Sequence, residues 1–143
     1  MSDKTQKQMA KMVDAVQPYC DEPIIAAITC SHAGATQSAV FGGSVSGFGK
    51  KPSSLPSPVF LAVGLDTVYA FKYVPKGFKF KIKSEAARWR RDSLRLQVEK
   101  TKTMANFVLS TASSESHHLE VPILMGAEAL ADMFFNAITN SRD

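Results

Sequence analysis

Apolar residues near the start of the chain recur at helical spacing. The repeat at i, i+3, i+4 and i+7 consists of Met9, Met12, Val13 and Val16. Lysines and glutamines surround them, so the segment has one narrow apolar stripe, which is typical of an amphipathic helix. Pro18 should end this helix, because the residue before a proline is displaced from helical geometry. The pattern therefore predicts a helix over residues 3–17.

Farther along the chain, the apolar positions follow strand periodicity instead. Ile24–Cys30 is short, apolar and partly β-branched, and it is bounded by turn-forming residues, which predicts a strand. Val59–Val63 is a continuous apolar run, and Thr67–Tyr73 places three aromatic rings on one face. Because Gly64-Leu65-Asp66 favours a tight reversal between these two segments, we expect them to form a hairpin.

The next segments alternate more regularly. Phe78–Lys83 has three apolar residues on one face and three lysines on the other, and it follows a turn predicted at Pro75-Lys76-Gly77. Alternation over residues 94–99, 104–109 and 119–123 predicts three further strands. Their connections are short, so we expect mostly antiparallel pairing.

A second helical stripe lies near the end of the sequence, after Gly126. Its members are Leu130, Met133, Phe134, Ala137 and Ile138. This stripe predicts a helix over residues 126–140 that covers a sheet. The expected architecture is therefore α+β: a single meander of about seven antiparallel strands, forming a barrel or curved sheet, capped by a C-terminal helix and preceded by an extra N-terminal helix.

Residues 33–58 differ from the rest of the chain, because they are rich in glycine, serine, alanine and proline. A loop of this length inside a domain is either mobile or functional. Its glycines invite comparison with a phosphate-binding loop, but Ser44 and Lys51 stand where that motif needs glycine and Ser or Thr. Some apolar residues in this loop either pack back onto the domain or meet a partner. These residues are Val40, Phe41, Val45 and Phe48.

Length and composition indicate an ordinary globular protein. The chain has 143 residues, of which 45% are hydrophobic and 21% charged, which predicts a single domain over residues 1–143. The start of the chain is polar, and the longest apolar run, Val59–Leu65, is too short for a transmembrane helix. We expect a cytoplasmic protein in which Cys20 and Cys30 remain free thiols.

Charge is distributed unevenly along the sequence. From Lys72 to Lys102, eleven Lys or Arg residues oppose three acids, whereas the segment from Thr103 to the end is acidic. This basic segment either attracts an anionic partner or forms the solvated faces of strands. The candidate binding surface combines it with two loop lysines. Its members are Lys50, Lys51, Lys72, Lys76, Lys79, Lys81, Lys83, Arg88, Trp89, Arg90 and Arg91.

The predicted element order resembles that of pleckstrin-homology-like domains, which have seven antiparallel strands followed by one amphipathic helix. The resemblance covers roughly residues 24–140 and depends on the hairpin Val59–Tyr73, the basic strand Phe78–Lys83 and the helix Ala127–Asn140. Members that bind phosphoinositides carry basic residues in their first two strands, but Ile24–Cys30 and Val59–Leu65 carry none. The resemblance therefore implies a scaffold for protein or peptide binding at least as much as for lipid.

Motifs for catalysis, metal binding and nucleic-acid binding find little support. Cys20, Cys30 and His32 match no zinc spacing, and the neighbours His117 and His118 should point to opposite faces of a strand. No serine, histidine and acid are selected as a catalytic set by their order or local sequence. Residues 88–91 combine guanidinium groups with one indole, which either contact a nucleic acid or pack on the sheet with some arginines paired to Glu85 or Asp92. Without further aromatic residues on the same face we do not expect a nucleic acid partner. The sequence thus predicts no enzyme activity, no cofactor and no metal.

Three functional hypotheses follow. The first is a non-enzymatic binding module whose basic surface meets an acidic protein segment or an anionic lipid headgroup. The second is a small-molecule-binding or enzymatic domain, with a pocket between the sheet and the last helix under the loop 33–58. The third is self-association through a sheet edge or through the stripe of the N-terminal helix.

Overall fold

Seven antiparallel strands and two α-helices make up the computed structural model, which describes residues 3–32, 55–77, 79–113, 115–124 and 126–139. The helices are α1 (Asp3–Val16) and α2 (Ala127–Thr139). The strands are β1 (Ile24–His32), β2 (Val59–Gly64), β3 (Thr67–Lys76), β4 (Lys79–Arg90), β5 (Arg95–Lys100), β6 (Met104–Ser110) and β7 (Ser116–Pro122). The expected α+β architecture, with seven antiparallel strands and a helix at each end, is confirmed. The predicted loop over residues 33–58 lies largely outside the described residues.

The strands form one sheet in the order β4-β3-β2-β1-β7-β6-β5. The prediction of a single meander was wrong at one connection, because β1 pairs with β7 while β4 and β5 lie at opposite edges of the sheet. Between β4 and β5, residues Arg91–Ser93 form a 3₁₀ turn. The Arg91 amide donates a hydrogen bond to the Asp66 carbonyl at 2.8 Å. This bond fixes the chain to the β2–β3 turn and directs it away from β4.

The β3–β4 hairpin is longer than expected. Pro75 and Lys76 belong to β3 rather than to the predicted turn, and β4 continues to Arg90. Pro75 is tolerated in the strand because β2 extends along β3 only as far as Lys72, so Pro75 pairs with β4 alone. Gly77 makes the reversal with a φ of +63°, a conformation that is strained for other residues.

The main core lies between one face of the sheet and α2. Phe134 is fully buried and its ring packs against Phe107 and Phe135, with ring centroids 6.4 and 5.9 Å apart. Ile138, one helical turn later, is also buried. The predicted apolar stripe of the last helix therefore covers the sheet as expected.

A second core lies on the other face of the sheet. Phe60, Tyr69 and Phe71 are buried there together with Val16 of α1. Met9 of α1 belongs to the main core, so the stripe of this helix is covered within its own chain. This leaves little of the helix for the predicted self-association. Since β2 contributes to both cores, all six of its residues are buried.

A carboxylate that the sequence did not single out anchors the β2–β3 turn. Glu22, just before β1, accepts hydrogen bonds from the Asp66 and Thr67 amides at 2.9 and 2.8 Å. Gly64 lies directly beneath this carboxylate, so a methyl group at Gly64 would overlap the Glu22 side chain. The turn therefore depends on a long-range contact as well as on its own sequence.

Candidate functional site

Five exposed lysines lie on the β3–β4 hairpin, and they are called the lysine cluster below. They are Lys72, Lys76, Lys79, Lys81 and Lys83. The ladder between β2 and β3 ends at the Val59–Lys72 pair. The hairpin beyond Lys72 is therefore a two-stranded ribbon that projects past β2, and it carries most of the cluster at its end.

Four members of the lysine cluster occupy one side of this ribbon. Lys72 is opposite Val59, which points into the main core, and Lys76 is opposite Lys79. Directly opposed residues of antiparallel strands share a face, as do alternate residues of one strand. It follows that Lys72, Lys76, Lys79 and Lys81 all point to the main-core side. Lys83 is the extra residue of a β-bulge between the Lys72–Ser84 and Tyr73–Ile82 pairs.

The positive charge of the cluster is not balanced locally. In the ranges that the structure describes, no carboxylate forms an ion pair with any of the five lysines. The pKa of Lys83 is lowered, first by the positive charge of Lys81 and to a smaller extent by desolvation and by Lys72 and Lys76. The ammonium groups therefore repel one another, and an anion placed among them would relieve that repulsion.

The other side of the ribbon is apolar and packed. Tyr73 and Phe80 contact each other and the ring of Phe60, with centroid distances between 5.3 and 5.9 Å. Ile82 is buried beside them. Edge-to-face packing of this kind fixes the ribbon to the second core, so the lysine cluster is presented on an ordered support.

Arg88 points to the opposite side from the lysine cluster. Its guanidinium donates to Glu85 at 2.7 Å and to Asp21 at 3.0 Å, and it lies 5.1 Å from the centre of the Tyr69 ring. These hydrogen bonds raise the pKa of Arg88, and the bond from Arg88 lowers the pKa of Glu85. The charge of Arg88 is therefore already matched within the chain.

The next three residues of the candidate surface also lie apart from the cluster. Trp89 is half-buried against the main core, with its ring 5.4 Å from that of His117. Arg90 pairs with Asp92 at 3.1 Å. Arg91 is only 8% exposed, and its Nη1 donates to the Leu65 carbonyl at 3.3 Å. The structure thus brings together the five hairpin lysines and separates them from residues 88–91, while Lys50 and Lys51 lie outside the described residues.

An open cleft of about 860 Å³ lies at the opposite end of β4. The start of β5, the β2–β3 turn and the end of α2 line it, through residues that include Leu65, Arg91, Arg95 and Ile138. Sequence reasoning did not identify this cleft, because its walls come together from three distant parts of the chain. The second hypothesis expected a pocket between the sheet and α2, where the buried rings of Phe107 and Phe134 now lie.

His117 lies in the main core, whereas its neighbour His118 is only half-buried, as expected for adjacent residues of a strand. Burial lowers the pKa of His117, with smaller contributions from the charges of His32 and His118; the charge of Glu115 acts in the opposite direction. The folded chain therefore favours the neutral imidazole.

This shift predicts a loss of stability in acid. Below about pH 6.5 the unfolded chain takes up a proton that folded His117 resists, so the free energy of unfolding should fall by up to about 1.4 kcal/mol per pH unit until the lowered pKa is reached. Urea unfolding at about pH 7.5 and about pH 5.5 would measure this loss. His117→Phe should remove that part of the pH dependence, whereas the control His118→Gln should retain it; equal slopes in all three proteins would contradict the prediction.

The two cysteines lie in different environments. Cys30 is buried in the main core, and its pKa is strongly raised by desolvation. Cys20 packs against the second core, and burial, together with the charge of Asp21, raises its pKa to about 11. Both are free thiols. Their raised pKa values disfavour the thiolate, which is the reactive form.

In the described ranges, no three His, Cys, Asp or Glu side chains come together in a way that would hold a metal ion. Each helix in the described part of the chain is also too short or too polar to cross a membrane.

Comparison with known proteins does not assign this chain to a family. The chain matches no protein-family model, no curated protein and no solved structure. The lysine cluster and its supporting ribbon are therefore the features from which function is inferred.

Proposed function

We propose that this chain is a non-enzymatic binding module whose lysine cluster binds an anionic partner, either an acidic segment of a protein or an anionic lipid headgroup. One observation carries the proposal: five exposed lysines share one projecting hairpin, and no carboxylate of the described residues pairs with them. Concentrated positive charge of this kind attracts and orients anionic partners.

Several other basic residues of the protein already have carboxylate partners. Arg88 pairs with Asp21 and Glu85, and Lys100 pairs with Glu128 and Asp132. In those pairs the charge is already compensated within the chain, so an outside anion gains little there. Exposed lysines of α1 also have no ion pair among the described residues, but the hairpin concentrates five such lysines on two adjacent strands.

The scaffold supports the same proposal. A pleckstrin-homology-like architecture, in which seven antiparallel strands form a barrel or curved sheet with a final helix over the core, remains our proposal. We expect such a scaffold to serve protein or peptide binding at least as much as lipid binding, but a fold alone does not determine function. The proposal therefore depends on the charge of the hairpin, and the architecture is consistent with it.

A different role for the lysines would be to protect the edge of the sheet against pairing with other molecules. β4 lies at the edge of the sheet, and natural proteins place lysines and bulges on edge strands to prevent pairing between molecules. This role predicts that neutralising the lysines causes aggregation without affecting the binding of any anion. The experiment below separates the two roles.

Neutralising three lysines of the cluster should weaken anion binding. In the variant Lys72→Gln/Lys81→Gln/Lys83→Gln, the affinity for an oligo-glutamate peptide, or for phosphatidylcholine vesicles containing phosphatidylserine, should fall at least about tenfold, because each lysine contributes about 1 kcal/mol near an anionic surface. Raising NaCl from about 0.05 to about 0.5 M should weaken binding by the wild-type chain. Fluorescence anisotropy and vesicle sedimentation measure the two affinities.

The matched control carries the same charge change elsewhere. Lys4, Lys7 and Lys11 are exposed on α1, so Lys4→Gln/Lys7→Gln/Lys11→Gln has the same net charge as the hairpin variant. The control should bind almost as well as the wild type. Equal losses in both variants, or aggregation of the hairpin variant with unchanged affinity of its monomer, would reject the proposed role of the cluster.

A further inference from the structure

The strand that carries most of the lysine cluster is itself unpaired on one side. β4 ends the strand order, so among the described residues no strand pairs with its outer edge. From Lys79 to Ile82 it pairs with β3 over four consecutive positions without a register shift. Backbone N–H and C=O groups along this regular stretch point alternately toward β3 and away from it. An extended chain is the structure best able to use the outward groups.

The two sides of this stretch differ chemically. Lys79 and Lys81 are exposed on one side, whereas half-buried Phe80 and buried Ile82 lie on the other. Side chains of an added strand would alternate between the same two sides. Residues next to the lysines should therefore be acidic, and residues next to Phe80 and Ile82 should be apolar.

From these observations we infer that the partner of the lysine cluster is an extended protein segment with alternating acidic and apolar residues, which adds to the sheet as a further strand beside Lys79–Ile82. This inference rests on the proposed function. Of the two partners proposed there, it selects the acidic protein segment. The ligand's backbone bonds to the outer edge of β4, while its carboxylates pair with Lys79 and Lys81. The bulge at Lys83 interrupts the regular ladder and limits the added strand to a short segment.

The unpaired outer edge of β4 favours a polypeptide over a lipid as the partner. A lipid headgroup would use the charge of the lysines but not the outward backbone groups or the apolar side of the ribbon. A polypeptide of the stated pattern uses all three, and the backbone bonds also fix its position along β4. Charge then provides attraction and the alternation provides the register.

Backbone methylation of the ligand tests this geometry without altering the protein. The probes are a fluorescent peptide of alternating glutamate and valine and two versions of it, with N-methyl groups on the odd or on the even amides. Only one set of amides faces β4 in a strand. One version should therefore bind the full chain at least about tenfold more weakly than the parent peptide, while the other keeps its affinity within about threefold.

The possible outcomes distinguish failure of the inference from failure of the proposed function. If both methylated peptides bind as well as the parent peptide, attraction without strand addition explains the binding, and the inference is wrong while the proposed function stands. If phosphatidylserine vesicles bind and the parent peptide does not, the partner is a lipid surface, which also overturns the inference alone. If neither probe binds at low salt, both are wrong.

A second readout locates the added strand. On addition of the parent peptide, hydrogen exchange at alternate amides of Lys79–Ile82 should slow, because outward N–H groups become hydrogen-bonded. Amides of β5, the edge strand at the other end of the sheet, should exchange at the same rate as before. Protection at β5 instead of β4 would place the ligand elsewhere and contradict the inference.

Discussion

Replacing Phe134 by alanine should lower the free energy of unfolding by about 3 to 5 kcal/mol. Phe134 is fully buried between α2 and the sheet, and its ring packs against both Phe107 and Phe135. Alanine would leave a cavity at the point where the helix covers the main core. Urea unfolding followed by circular dichroism at neutral pH measures the loss.

A neighbouring position on the same helix serves as the control. Asn136 is exposed, so Asn136→Ala should change the free energy of unfolding by no more than about 0.5 kcal/mol. If Phe134→Ala costs as little as the control does, α2 does not cover the core in solution.

Gly64→Ala should destabilise the fold by about 2 to 3 kcal/mol. The added methyl group would overlap Glu22, which accepts hydrogen bonds from the Asp66 and Thr67 amides. Either the carboxylate moves and these two bonds are lost, or the strand shifts. Thermal and urea unfolding both measure the effect.

A double-mutant cycle identifies the cause. In a Glu22→Ala background the overlap is gone, so adding Gly64→Ala should cost less than about 1 kcal/mol more. Glu22→Gln keeps the size of the side chain and should keep most of the cost of Gly64→Ala. Equal costs of Gly64→Ala in all three backgrounds would show that the overlap with Glu22 is not the reason.

Local periodicity was sufficient to predict most of the elements. The alternation of Phe78–Lys83 placed the lysines on one side, and the stripe through Phe134 and Ile138 placed the last helix over the sheet. The second half of β4 was missed as strand, because residues 84–90 lack regular alternation: Ala86, like Lys83, is an extra residue at a register shift. A bulge changes which face each later residue occupies, and the pattern of the sequence does not reveal where this happens.

Long-range pairing was not accessible from local patterns. Asp21 and Arg88 are far apart in sequence but form an ion pair. This pair removes Arg88 from the expected basic surface, and the sequence around Arg88 does not indicate Asp21 as a partner. The pairing of β1 with β7 was missed for the same reason. By contrast, the lysine cluster was predictable, since its members are close in sequence and occupy one hairpin.

The contact between β1 and β7 affects how the protein is made. Ser31 and His32 in β1 pair with Glu120 and Leu119 in β7, and α2 follows later still. When β1 to β4 have left the ribosome, the edge of β1 that pairs with β7 is therefore still unpaired. Sheets with such distant partners fold slowly and are open to association with other chains meanwhile. Synthesis must therefore reach the end of β7 before this sheet can be completed.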